Sequence, residues 1–168
     1  MNPALRTTWA PRGHTPRITA SVSHRKTSMA GWCCYRTGRA PRLMFSLRPG
    51  GHFTAADFPR LLRRLHRFLN TKVILVWDNL TGHVRDHTVL AFLRANAHWL
   101  TVCQLPGYAP ELNPAEGLWG ELKNGPLANL TARTLDEVTT TARHALRLAQ
   151  YQPALLNGFL AETGLTMN

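Results

Sequence analysis

The most constraining feature of the sequence is the apolar run Val73–Trp77, which stops abruptly at Asp78. An uninterrupted apolar run of this length is typical of a strand that is buried on both faces. Such strands occur in parallel sheets that helices cover on both sides. The run is far shorter than the roughly 20 apolar residues that span a bilayer. It therefore predicts a core strand and argues against a membrane segment.

Strand and helix patterns alternate on either side of this run. Alternating β-rich stretches and buried runs predict strands at 17–23, 27–36, 42–48, 72–77 and 99–105. Apolar residues at helical spacing predict helices at 58–69, about 86–97, 114–124 and 135–150. The first three strands have short connections and predict an antiparallel meander. A meander followed by alternating strands and helices indicates an α/β fold with a mixed sheet flanked by helices.

Positive charge is concentrated in the first 70 residues. They contain 13 Lys and Arg residues and one acidic residue, Asp57, for a net charge of +12. Residues 71–168 contain 7 basic and 8 acidic residues, for a net charge of −1. Such a basic half indicates a polyanionic partner, most often nucleic acid. A basic surface without a specific partner, or one for an acidic protein, remains open.

The helix predicted over 58–69 is basic on the side opposite its apolar face. The basic residues are Arg60, Arg63, Arg64 and Arg67. They form either a solvated face or a DNA contact. Thr54 and Asp57 fit a capping box at the start of this helix, which gives Asp57 a structural role.

Two acidic residues are candidates for chemistry. Asp78 ends the buried strand, where ligands gather in open α/β sheets, and carboxylate oxygens suit a divalent metal. A turn or cap role is the alternative. Glu116 is the third residue after Asn113, the predicted N-cap, so it is either a capping residue or a ligand. One helix, one strand and a loop separate the two acids and return the chain to the same end of the sheet. Together they indicate part of a two-metal phosphoryl-transfer site.

Other site classes lack their signatures. The cysteines Cys33, Cys34 and Cys103 form no C-x-x-C pair and have no zinc-ligand spacing, which argues against structural zinc. The N-terminus has no apolar signal-peptide region, so a cytoplasmic location is expected.

Three stretches resemble one family. LPGYAPELNPAEGLWGELK (105–123), VILVWDNLTGH (73–83) and TWAPRGHTP (8–16) are similar to segments of bacterial insertion-sequence transposases of the mariner-like superfamily. These are DDE-type enzymes with a ribonuclease H-like catalytic domain. The resemblance implies that fold, a DNA partner (transposon ends and target), and two Mg²⁺ or Mn²⁺ ions in a complete site.

The resemblance also implies site residues. Asp78 matches the second metal-binding acid and Glu116 the third. Asn79 and His83 lie beside the second acid and would position water or DNA. Lys123, two helical turns after Glu116, would meet a phosphate. For Asn79, His83 and Lys123, a turn, a cap or a solvated charge is the alternative.

The sequence departs from the family at its first acid. The family has an Asp-Glu pair ahead of the Thr-Trp segment, and none of residues 1–7 is acidic. Asp57 follows the meander and is a poor substitute. We therefore expect a single partial catalytic domain over 1–168, without its first strand and without the helix-turn-helix domains that bind transposon ends. A misplaced start, a second reading frame and a decayed element are all consistent with this pattern.

The expected function is the catalytic portion of a transposase, impaired in metal-dependent DNA cleavage and strand transfer when alone. The first alternative is a non-catalytic DNA-binding fragment that inhibits transposition by pairing with full-length transposase. The second is a relic that does not fold. Because transposition joins two ends, the family also implies a homodimer.

Overall fold

The computed structural model describes residues 9–14, 26–78, 86–128, 130 and 134–167. Its strands are β1 (Thr27–Arg36), β2 (Arg39–Pro49), β3 (Val73–Trp77) and β4 (Leu100–Gln104). Its α-helices are α1 (Phe58–Leu69), α2 (His87–Ala95), α3 (Pro114–Asn124), α4 (Leu135–Gln150) and α5 (Pro153–Glu162). Single 3₁₀ turns, Ala55–Asp57 and Pro110–Leu112, precede α1 and α3.

Strands β1 and β2 form an antiparallel hairpin, with Thr27 opposite Pro49 and Cys33 opposite Leu43. Gly38 adopts a φ of +69° in the connecting turn, a conformation that favours glycine. The hairpin confirms two strands of the predicted meander. The strand predicted at 17–23 lies outside the described residues.

Strands β3 and β4 pair in parallel, from Val73 opposite Leu100 to Trp77 opposite Gln104. Helix α2 connects them, as a parallel pair requires. The Leu105 backbone N–H donates to the Trp77 carbonyl oxygen at 2.9 Å, which extends the ladder by one bond. The carboxyl ends of both strands therefore meet at one edge, which we call the carboxyl edge.

The prediction that β3 is buried on both faces is wrong for the described part of the chain. Val73, Leu75 and Trp77 are buried, whereas Ile74 is 74% and Val76 44% exposed. Alternate side chains point to opposite faces of a strand. The first three belong to a core formed with α1 and α2, while the other face of β3 stays open.

The hairpin separates two hydrophobic cores. Neighbouring residues Leu43 and Met44 of β2 point to opposite faces and are both buried. Met44 packs into the first core, with Leu62, Leu65, Leu75, Val89, Phe92 and Trp99. Leu43 packs into the second core, with Leu118, Leu122, Leu146, Leu156 and Phe159. The first core is built on α1, α2 and β3, and the second on α3, α4 and α5.

The four predicted helices are confirmed within a few residues of their ends. Asn113 caps α3 and Thr134 caps α4 through their side-chain oxygens, which accept backbone N–H groups of the first turn. Helix α5 was not predicted, although Pro153 at its first position is a recognised helix start. In the described ranges, no helix is both long enough and apolar enough to cross a bilayer.

Candidate active site at the carboxyl edge

Asp78 is the first residue after β3, at the carboxyl edge, and its side chain is exposed. Its position follows from the ladder, because Trp77 pairs with Gln104 and accepts a hydrogen bond from Leu105. The end of β4 is therefore beside Asp78, as the sequence predicted.

Glu116 lies in the first turn of α3 and is exposed. Its backbone N–H donates to the Asn113 carbonyl oxygen at 2.9 Å. In a capping box the Glu116 carboxylate would accept the Asn113 backbone N–H. That N–H instead donates to the Pro110 carbonyl oxygen at 3.0 Å, while Asn113 Oδ1 accepts from Ala115. The carboxylate has no hydrogen bond or ion pair within the described ranges, so helix capping does not account for Glu116.

The segment between β4 and α3 begins at the carboxyl edge. It leaves the ladder at Leu105 and turns through Tyr108, whose φ is +56°, before the 3₁₀ turn Pro110–Leu112. The helix that bears Glu116 follows directly. Asp78 thus directly follows the end of β3. Glu116 lies on the helix that this segment connects to the neighbouring end of β4.

Close packing at two glycines holds α3 in place. An added Cβ at Gly117 would lie 2.5 Å from Cδ1 of Phe159 on α5, and one at Gly31 would lie 2.9 Å from Cη2 of Trp119. Phe159 and Trp119 can approach this closely only because Gly117 and Gly31 have no side chain. Helix α3 is therefore fixed between α5 and the hairpin, and this packing sets the position of Glu116.

Asp57, the only acid of the first 70 residues, has a structural role. Its carboxylate accepts the Thr54 backbone N–H at 2.9 Å and the Thr54 hydroxyl at 3.0 Å, and pairs with the Arg48 guanidinium. The Thr54 backbone bond, reinforced by the hydroxyl and Arg48, lowers the pKa of Asp57. The predicted capping box is confirmed. All three donors bind Oδ2, and these contacts give the Asp57 carboxylate a structural role at the start of α1.

Three other predicted residues have different outcomes. Asn79 and His83 lie outside the described residues. Lys123 is exposed in the last turn of α3. Seven residues of helix separate it from Glu116, a rise of roughly 10 Å. No group of three or more His, Cys, Asp or Glu side chains in the described ranges is arranged to hold a metal ion.

The arginines of α1 divide into two sets. Arg64 donates to Ser46 Oγ at 3.1 Å, towards the hairpin. Arg60, Arg63 and Arg67 instead line a cleft with three residues that sequence patterns did not indicate, namely His66, Asn96 and Trp99. The helical spacing of the arginines could be predicted from the sequence, whereas the residues that complete the cleft could not.

The adjacent cysteines do not form a nucleophilic site. Burial raises the pKa of the Cys33 thiol to about 11 and that of Cys34 to about 12. Neither thiol is ionised at neutral pH, and only the thiolate is strongly nucleophilic. The raised pKa values therefore argue against covalent catalysis by these two residues.

Two solved structures have the same fold over 99% of this chain. The Mos1 transposase paired-end complex with left transposon end matches with a TM-score of 0.61 and 19% identity. The Mos1 strand transfer complex matches with a TM-score of 0.60 and 20% identity. These matches confirm the predicted fold class, a mixed α/β, ribonuclease H-like arrangement with small sheets flanked by helices.

The chain spans about half the length of these transposase chains, 53% and 52%. Among curated proteins, no sequence matches it. The family model described as DDE superfamily endonuclease matches residues 2–139, which include Asp78 and Glu116. Endonucleases of this superfamily generally use divalent metal ions. The chain therefore belongs to the DDE superfamily of endonucleases.

Proposed function

We propose that this chain is one domain, the catalytic portion of a transposase that cleaves and transfers DNA strands with divalent metal ions. One structural observation supports the proposal in addition to the family match. Glu116 has no capping role, is exposed, and stands on the helix that follows β4, whose end adjoins Asp78. Two carboxylates attached to adjoining strand ends are the arrangement expected of acids that share metal ions.

The chemistry of the two acids fits a hard divalent cation. Carboxylate oxygens are the ligands that Mg²⁺ and Mn²⁺ prefer, and both side chains are exposed to an incoming ion. Asp78 and Glu116 would hold the metal. Bound ions would activate the attacking water or 3′-hydroxyl and stabilise the leaving oxygen. Asn79 and His83 are proposed to position water or DNA near Asp78, and Lys123 to meet a more distant phosphate.

The proposed partner is DNA, both transposon ends and target. The transposase in one of the two structural matches is in complex with a transposon end. The net charge of +12 in residues 1–70 supports a polyanionic partner for this chain as well. A second copy of the chain, or a full-length transposase, is the proposed protein partner.

Metal binding tests the site without requiring turnover. Isothermal titration of the full chain with Mn²⁺ should show binding that Asp78→Asn and Glu116→Gln each weaken by roughly tenfold or more, since even outer-shell changes cost 10- to 100-fold. Glu121→Gln, an exposed acid on the same helix, is the matched control and should leave the affinity unchanged. Equal Mn²⁺ affinity in all four proteins would refute the site.

A second candidate function is DNA binding without cleavage, as an inhibitory fragment that pairs with transposase. The basic half favours it, because Asp57, its only acid, is already paired with Arg48. This function predicts salt-sensitive DNA binding that is unaffected when both Asp78 and Glu116 are replaced. Failure to bind DNA at low salt would exclude it. A chain that is only a relic would show no cooperative thermal transition by circular dichroism.

A further inference from the structure

We infer that the cleft between α1 and the turn before β4 binds the phosphate backbone of a DNA strand, at a site distinct from the two acids. One wall of this arginine cleft is Arg60, Arg63, His66 and Arg67 of α1, and the other is Asn96 and Trp99. Its volume is about 360 Å³, within the range of ligand-binding clefts.

A chain of contacts connects the two walls of the arginine cleft. The His66 ring stacks on Trp99 with centroids 3.9 Å apart and planes at 6°. Trp99 Nε1 donates to Asn96 Oδ1 at 3.0 Å, and Asn96 Nδ2 donates to the Phe92 carbonyl oxygen at 2.7 Å. Trp99 is only 7% exposed. These side chains are therefore ordered before any ligand binds, which reduces the entropy cost of binding.

The arginine cleft has few counter-charges. None of the described residues that line it is acidic. Arg63 and Arg67 pair with no acid in the described part of the chain, and the Arg63 guanidinium rests over the Phe92 ring at 4.9 Å. Arg60 Nη2 is 3.7 Å from Asp57 Oδ1, and Arg48 shares the same carboxylate through Oδ2, so this one negative charge is divided between two arginines. Three close guanidinium groups with almost no compensation favour an anion.

The spacing of the arginines selects an extended anion over a small one. Arg60, Arg63 and Arg67 follow one helix face over two turns, a rise of roughly 10 Å. One DNA strand places a phosphate about every 3.4 Å of helix axis, so the row spans about three steps between consecutive phosphates. The guanidinium fork is suited to bidentate phosphate contacts. We therefore favour a DNA strand over an acidic protein, whose charges have no such regular repeat.

The arginine cleft extends away from the acids. The Trp99 carbonyl oxygen accepts from Val73, the first residue of β3, so Trp99 lies at the end of the sheet opposite Asp78. Phe58, two residues before Arg60, contacts Trp77 beside Asp78 with ring centroids 5.8 Å apart. The arginine row therefore runs from near the carboxyl edge towards the opposite end. DNA bound along it would contact the protein over a stretch that flanks the phosphate at the acids.

The test compares two double variants that remove the same charge. Arg63→Gln/Arg67→Gln changes the arginine cleft, and Arg36→Gln/Arg39→Gln changes two exposed arginines at the hairpin turn. Fluorescence anisotropy measures binding to a labelled duplex at several salt concentrations. We expect the cleft variant to bind roughly tenfold or more weakly, with a salt slope smaller by about 2. The control should keep nearly the wild-type slope. Equal slopes and affinities for the two variants would overturn the inference.

Two further measurements separate this site from its rivals. The anisotropy assay contains no metal ion, so a failed Mn²⁺ test of Asp78 and Glu116 would not affect the result for the arginine cleft. DNA should also protect Arg63 and Arg67 from phenylglyoxal, as read by mass spectrometry, and unprotected arginines would contradict the site. If polyglutamate protects them and DNA does not, the partner is an acidic protein and the inference is wrong.

Discussion

Asp57 shows how one side chain is used when acids are scarce. Its carboxylate joins the start of α1 to β2, through Thr54 on one side and Arg48 on the other. The same contacts lower its pKa, because they stabilise the charged form. The residue that completes the cap is therefore also a source of pH-dependent stability.

We expect Asp57→Asn to destabilise the chain by about 1 kcal/mol at neutral pH, the usual cost of a lost helix cap. Since the folded pKa is lowered, the charge stabilises the fold above the unfolded value of about 3.9. That contribution is lost as the pH falls through the folded pKa. Urea unfolding from pH 7 to pH 3 should show the wild-type advantage shrinking below about pH 4.

Glu162→Gln, an exposed acid at the end of α5, is the control for this series and should follow the wild type at every pH. A constant difference between wild type and Asp57→Asn down to pH 3 would contradict the assigned role of the carboxylate.

At the scale of elements, Gly117 determines how closely α3 and α5 approach. A methyl group at this position would lie 2.5 Å from Cδ1 and 2.9 Å from Cγ of Phe159, which is itself buried. Gly120, one turn later on α3, has open space at the same position. The two glycines thus offer a matched pair within one helix.

We expect Gly117→Ala to destabilise the chain by about 1–3 kcal/mol, because the overpacking cost exceeds the gain in helix propensity. Gly120→Ala should stabilise it by up to about 1 kcal/mol, since only the propensity gain applies. Both values come from urea unfolding. Stabilisation by both substitutions would mean that Phe159 moves aside easily and does not fix α3.

The elements that could be predicted are those with a local signal. Helices α3 and α4 have side-chain caps at Asn113 and Thr134, and β3 is a compact apolar run. The exposure of Ile74 was not predictable, because the coverage of a strand's second face depends on elements elsewhere in the chain. The positions of Asp78 and Glu116 could be predicted from strand and helix boundaries. The arginine cleft could not, because His66 and Trp99 meet only through tertiary packing.

At the scale of the molecule, the basic half and the acids perform different tasks. The acids Asp78 and Glu116 belong to the carboxyl edge, whereas the row from Arg60 to Arg67 lies along α1. In the proposed function, the first group would hold metal and the second would hold DNA. Substitutions in the arginine row should therefore weaken DNA binding, whereas substitutions of Asp78 and Glu116 should affect metal binding and DNA cleavage.

We expect the 168-residue chain alone to nick supercoiled plasmid weakly or not at all with Mg²⁺ or Mn²⁺. The resemblance requires three acids, Asp78 and Glu116 match two of them, and Asp57 has a capping role with Thr54 and Arg48. Gel assays with Asp78→Ala and Glu116→Ala as controls measure this. Strong nicking that either substitution abolishes would show that the chain supplies a third ligand of its own.

The placement of Leu43 and Met44 also affects how the molecule unfolds. Adjacent residues of one strand anchor two separate cores, and Gln150 Nε2 on α4 donates to the Leu43 carbonyl oxygen at 2.8 Å. Neither core can open without disturbing β2. We therefore expect the two cores to unfold as one cooperative unit. The slowest-exchanging amide protons of the elements around each core should then exchange at similar rates in hydrogen-exchange measurements.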